Sequence, residues 1–190
     1  MQLSDTPSIE GLPARERILL TAYRLFYRDG IRATGIDRVI TESGVTKVTF
    51  YRHFPSKNEL VLAFLEYRHR RWMDWFTGAL QRHGGNAGAL VPALEEWFRD
   101  GEFRGCAFIN SVGELGASLP EVAAVTLDHK RDMTAAVAAL LPPSRKNKQI
   151  AEAVALAIDG AIVHAQFTDK PDAALKSLAL IVKSLDAATA

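Results

Sequence analysis

The chain has 190 residues, 48% apolar and 24% charged, with a formal net charge of +1. That length can bury a core in one large or two small domains, and the near-neutral charge excludes a bulk polyelectrolyte binder. A lone cysteine, Cys106, excludes an intrachain disulfide and points to a reducing compartment.

No apolar run approaches the ~20 residues that span a bilayer. The opening MQLSDTPSIEGLPARE has neither a basic start nor an apolar core, so it does not read as a secretory signal. A cytoplasmic protein without membrane contact is expected.

Residues 1–12 are polar, carry Pro7 and Gly11, and predict a loose arm. Pro13 suits the first turn of a helix, which runs from Ala14 to Asp29 with Ile18, Leu19, Ala22, Leu25 and Phe26 on one face. Asp29-Gly30 ends it, and Thr34 is expected to cap the next helix. In the stretch TGIDRVITESGVTKVTFYRHFPSK, Thr34 to Lys57, residues Ile36, Val39 and Ile40 recur at helical spacing. Gly44 then stops that helix, because glycine accepts the left-handed conformation at a helix C-terminus. Thr46 is a good N-cap for a second helix, Lys47 to His53, with cationic, hydroxyl and aromatic groups together. Two short helices around a glycine turn, the second basic, predict a helix-turn-helix. Leu25, Phe26, Ile36, Val39, Ile40, Val45, Phe50 and Phe54 supply its small core.

Charge is distributed accordingly. Residues 1–57 hold nine Lys/Arg against six Asp/Glu, and residues 58–190 hold 14 against 16. The basic excess therefore sits around the motif, though mildly.

Ser56 caps a long helical pattern from Lys57 to about Gln81, and His83-Gly84-Gly85-Asn86 is a loop by composition. Further helices are expected over Ala87–Arg99, Cys106–Leu115, Pro120 to about Leu141, Ser144–Phe167 and Pro171–Leu185. No strand-like alternation or repeat is visible, so the chain reads as all-α with about nine helices.

A helix of this kind fits the major groove of double-stranded DNA. Lys47 can reach a phosphate or a guanine, Thr46 and Thr49 offer hydroxyls, Tyr51 a phenol, and Arg52 and His53 further donors. Helix starts near Thr34, Thr46 and Ser56 are anion sites, with Lys57 adding charge beside the last. The plainer reading is an ordinary turn between two amphipathic helices.

The full string from Thr34 to Leu60, ending GVTKVTFYRHFPSKNEL, resembles the signature of the TetR family of transcriptional regulators. In that family the helix-turn-helix is followed by an aromatic–His–Phe and a Ser-Lys-x-x-x-Leu entry into a long fourth helix. The resemblance covers residues about 14 to 65. It implies an all-α homodimer, with a three-helix DNA-binding head over residues 1–56 and a larger helical ligand-binding and dimerisation domain over 57–190. Thr34, Thr46, Lys47, Thr49, Tyr51, His53 and Lys57 match the family's DNA-contacting positions, and Phe50 and Phe54 its buried ones. Val48 departs, standing where Gly or Ala is usual; its branched side chain either crowds the backbone or packs on a thymine methyl.

The resemblance also implies a small-molecule pocket among the middle helices and a dimer built from the last two. Trp72, Phe76 and Trp97 are candidate apolar contacts to a largely apolar effector, and Cys106, Asn110, Glu114 and His164 candidate polar ones. The alternative is that these aromatics are core and His164 a core or interface histidine. Val154, Ile158, Ala161, Ile162 and Ala165, with Leu178, Ile181 and Leu185, are the expected dimer seam. Cys106, beside Arg104 at a helix start, is either a reactive thiol or a small buried hydrophobe.

The function expected is that of a ligand-responsive regulator, a repressor on a palindromic operator released by a small molecule that shifts the fourth helix. Alternatives are an activator, a redox regulator acting through Cys106, or a helical adaptor for protein partners. An enzyme is not expected: HExxH, GxSxG and a phosphate-binding glycine loop are missing. His53, His69, His83, His129 and His164 lack metal spacing, and no metal or cofactor is expected.

Overall fold

A computed structural model of the chain describes the backbone of residues 8–187 and the side chains of residues 8–184. Among the described residues there are nine α-helices and no strand. They are α1 (Ala14–Asp29), α2 (Ile36–Ser43), α3 (Lys47–His53), α4 (Lys57–Arg82), α5 (Leu90–Phe98), α6 (Ala107–Leu115), α7 (Glu121–Ala138), α8 (Asn147–Gln166) and α9 (Asp172–Ala187). A short 3-10 turn at Ala87–Ala89 precedes α5, capped by the Asn86 side chain on Gly88 N–H. No described helix is long and apolar enough to cross a membrane.

Local chemistry sets most of these boundaries. Ser56 Oγ accepts from Glu59 N at 3.1 Å at the start of α4, a serine N-cap with a glutamate three residues on. The expected cap at Thr34 differs. Gly35 occupies that position, and Thr34 is buried with its hydroxyl donating back to Gly30 O at 2.7 Å. Most of the expected arm lies outside the described residues; in the rest, Leu12 N donates to Ile9 O at 3.3 Å in a turn.

The chain divides by packing into two compact units, Met1–Arg71 with Ala107–Leu127, and Trp72–Cys106 with Asp128–Ala190. The division falls inside α4 and α7 and not at residue 56. In the first unit, α1 packs on α2 and α3 around Ile18, Leu25, Phe26, Val39, Phe50 and Phe54. Phe64 of α4 meets Tyr23 and Phe26 edge-on. Arg68 is buried there, donating to the Tyr23 hydroxyl at 2.6 Å and lying 4.0 Å over the Tyr27 ring.

In the second unit α8 packs on α9, and α5 also packs on α9. Val154, Ile158, Ala161, Ile162, Ala165 and Leu178, expected at the dimer seam, are buried inside the single chain. This apolar stripe is therefore covered within the protomer. Ile181 is 40% exposed, and the Leu185 side chain lies outside the described ones. The open stripe of α8 is Leu156, Gly160, Val163 and Phe167, and that of α9 includes Leu180 and Ile181.

Candidate nucleic-acid interface

The turn between α2 and α3 is built from sequence-local parts. Gly44 has φ +63°, its N–H returns to Thr41 O at 3.2 Å, and Val45 N returns to Ile40 O at 3.3 Å. Arg17 of α1 donates to Gly44 O at 3.2 Å and ties the turn to the first helix. Thr46 Oγ1 then accepts from Thr49 N at 3.2 Å, and the two threonine hydroxyls lie 2.9 Å apart. The cap gives α3 a defined start.

Phe50 anchors α3. It is fully buried, with Tyr51 5.3 Å and Phe54 6.4 Å away between ring centres. One buried aromatic on a seven-residue helix leaves the opposite face outward. Lys47, Val48, Tyr51 and Arg52 are exposed, Val48 at 70%, while Thr49 and His53 are half-buried. Lys47 Nζ lies 3.8 Å from Asp37 Oδ1, with both side chains largely exposed, so the pair is weak and its ammonium is available to a stronger anion.

An ion-pair chain braces α1 and α2. Arg38 bridges Asp29 at 2.9 Å and Glu42 at 2.8 Å, and Arg24 reaches Glu42 at 2.9 Å. Hydrogen bonding from Arg28 is the main cause that lowers Asp29 to about 2; desolvation opposes it, and the charges of Arg28 and Arg38 add to it.

Two residues expected to touch DNA face inward. Thr34 is buried. Lys57 Nζ donates to Ile31 O at 2.6 Å and stands 6.0 Å over the Phe26 ring. Burial pushes its ammonium below the ordinary lysine range, with the Glu114 charge opposing. Glu114, expected as an effector contact, accepts from Ile31 N at 3.1 Å and Arg32 N at 2.7 Å.

The other effector candidates separate by unit. Trp72, Phe76 and Trp97 come together in the second: Trp72 stacks on Phe76 at 4.5 Å and meets Trp97 edge-on at 5.6 Å. Trp75 and the buried His129 join them, His129 at 5.1 Å from Trp72. Cys106 is buried, and Lys130 Nζ donates to its sulfur at 3.6 Å while pairing with Asp159. Asn110 is half-buried on α6 in the first unit. His164 is exposed on α8, its ring 4.9 Å from Phe167. Lys130 escaped the sequence reading, which noted His129 only as lacking metal spacing, because nothing local signals its pairing with Cys106 or Asp159 across 24 or 29 residues.

This head has close relatives. A family model described as bacterial regulatory proteins, tetR family, matches residues 18–64, which include all of α2 and α3. SCO4454, a TetR-family transcriptional regulator from Streptomyces coelicolor, is similar at 30% identity and a TM-score of 0.79, over 90% of this chain and 93% of that one. The chain belongs to the TetR family of transcriptional regulators.

Curated HTH-type relatives are matched over shorter stretches. The transcriptional activator FasR of Mycolicibacterium smegmatis is 34% identical over 90 residues, and the transcriptional repressor KstR2 of the same organism 31% over 78. The matches take in 46% and 41% of this chain, and 41% and 36% of those relatives' lengths. An activator and a repressor are thus both similar to this TetR-family chain, at comparable identity.

Proposed function

We propose that this TetR-family chain is a cytoplasmic, ligand-responsive regulator that binds double-stranded DNA as a homodimer and acts mainly as a repressor. The observation that carries the reading is the outward row on α3. Lys47, Val48, Tyr51 and Arg52 stand exposed on a capped helix anchored by the fully buried Phe50. A phosphate contact, a phenol and a guanidinium on one short helix suit a major groove better than a protein partner. The test is binding to a duplex selected from random DNA by the wild-type chain. Lys47→Glu, with the helical content unchanged, is expected to abolish binding. Retained affinity with the same salt dependence would sink the DNA reading in favour of an adaptor.

Dimerisation is assigned to the open stripes of α8 and α9. Leu156 at 75%, Phe167 at 70% and Leu180 at 68% exposure are costly to leave in water on neighbouring helices. Two heads in a twofold dimer then read a palindrome.

For the effector, support comes from the cluster around Trp72, whose buried indole Nε1 has no hydrogen-bond partner among the described residues. A buried donor of this kind suits a largely apolar ligand carrying one acceptor. Binding there acts on DNA through α4, one continuous helix containing both Lys57 and Trp72. Compounds that release the selected duplex should also quench tryptophan fluorescence; release without quenching, and undiminished in Trp72→Phe, would refute this site.

Redox control is the second reading, favoured by the Lys130 ammonium on the Cys106 sulfur. A positive group at the thiol suits reaction with small oxidants, which the burial of Cys106 also requires. Peroxide treatment followed by mass spectrometry decides it: an unmodified Cys106 under conditions that oxidise the half-buried Met73 ends the idea.

A further inference from the structure

Glu114, near the end of α6, meets the turn between α1 and α2 with both carboxylate oxygens. Oε1 accepts from Ile31 N at 3.1 Å and Oε2 from Arg32 N at 2.7 Å, across 83 and 82 residues of chain. Two successive backbone N–H groups converging on one carboxylate form an anion nest with charge-assisted bonds. Gly30, at φ +90°, turns the chain so that these N–H groups face α6, and a Cβ there would stand 3.4 Å from Oε1. The carbonyls of the same turn are also occupied. Gly30 O accepts from the Thr34 hydroxyl at 2.7 Å, and Ile31 O from Lys57 Nζ at 2.6 Å.

The turn is therefore gripped from α6 and from the first residue of α4. Besides chain continuity through Pro55-Ser56, the head is held on α4 by Phe64 against Tyr23 and Phe26 and by Arg68 on the Tyr23 hydroxyl. The Glu114 carboxylate adds a hold on the α1–α2 turn from α6, beside that of Lys57 on Ile31 O, and a hold from a second helix restricts how the head can turn about α4. Thr34, Gly30 and Lys57, conspicuous in the sequence, serve this grip.

We propose that Glu114 is a positioning residue for DNA recognition. By holding the α1–α2 turn to α6 it fixes the angle at which α3 is presented, and so the half-site separation a dimer accepts. The inference rests on the dimeric DNA-binding reading above. It adds a route from α6 to the head that does not pass along α4.

The experiment uses a duplex selected from random DNA by the wild-type chain, with versions carrying one base pair more or fewer between half-sites. Wild type, Glu114→Gln and Glu114→Ala are compared on all three, with amide hydrogen exchange at Ile31 and Arg32 as a direct readout. In Glu114→Ala, exchange at those two amides should rise about tenfold or more, and the affinity ratio between correct and altered spacings should shrink. Glu114→Gln, which keeps shape but opposes one N–H with an amide, should fall between, and it supplies both readouts should the alanine variant not fold. A merely structural role would lower affinity for all three spacings by one factor, and that result overturns the proposal. So does unchanged exchange at Ile31 and Arg32. If the wild type selects no duplex at all, the DNA-binding reading falls and this inference with it; an intact selection with an unaltered spacing ratio removes the inference alone.

Discussion

Lys57 Nζ donates to the backbone carbonyl of Ile31 at 2.6 Å, so the first residue of α4 turns its ammonium into the protein. Lys47, ten positions earlier, keeps its ammonium in solvent beside a weak partner. The two lysines should therefore separate experimentally. Lys47→Gln is expected to reduce the salt slope of duplex binding by about one, the loss of a single phosphate contact. Lys57→Gln should leave the slope near its wild-type value and lower the melting temperature instead, through the lost charged hydrogen bond. Titrations at several salt concentrations, paired with thermal unfolding, check both.

Asp29 offers a pH test. Its carboxyl is lowered from 3.8 to about 2, Arg28 hydrogen bonding being the largest cause. An acid that titrates lower in the folded chain stabilises it fully above its unfolded pKa, and the contribution disappears as pH falls through the folded value. Asp29→Asn should thus be less stable than wild type near neutrality and converge with it between pH 3.8 and about 2. Thermal unfolding across that window gives the answer; parallel curves for the two proteins would contradict the assignment.

Val48 points away from the core at 70% exposure. Removing two methyl groups there should change stability by less than about 0.5 kcal/mol. Val48→Ala should nevertheless alter which bases are preferred under α3, since an apolar side chain in the groove reads thymine methyls. Parallel selections from random duplex DNA with both proteins would show it as a shift at one position of each half-site.

The dimer prediction concerns the outward stripe. Leu156→Glu combined with Leu180→Glu should yield monomers by sedimentation with unchanged helical content, because both side chains are exposed in the single chain. Ile158→Glu should instead unfold the second unit, since Ile158 is fully buried in it. A double glutamate variant that sediments as a dimer would place the interface elsewhere.

How much of this was legible beforehand follows from the range of each interaction. Gly44, Thr46 and Ser56 close or open helices through bonds to residues three or four positions away. Phe50 and Phe54 declared themselves as the apolar members of a short polar helix and its end. On α8 the pattern was ambiguous. Val154, Ile158, Ala161, Ile162 and Ala165 form one apolar stripe, and Leu156, Val163 and Phe167 another, so periodicity could not say which one the protomer covers. Packing within the protomer took the first and left the second open.

The sequence by itself determined the all-α class, the helix-turn-helix and the outward chemistry of α3, because those depend on local bonds and on the period of one helix. Tertiary structure alone decided that Lys57 and Thr34 turn inward, that Glu114 grips the α1–α2 turn, and that Lys130 meets Cys106. Those pairings join groups distant along the chain. Their energies depend on burial and on separations of about 3 Å, which exist only once the helices have packed.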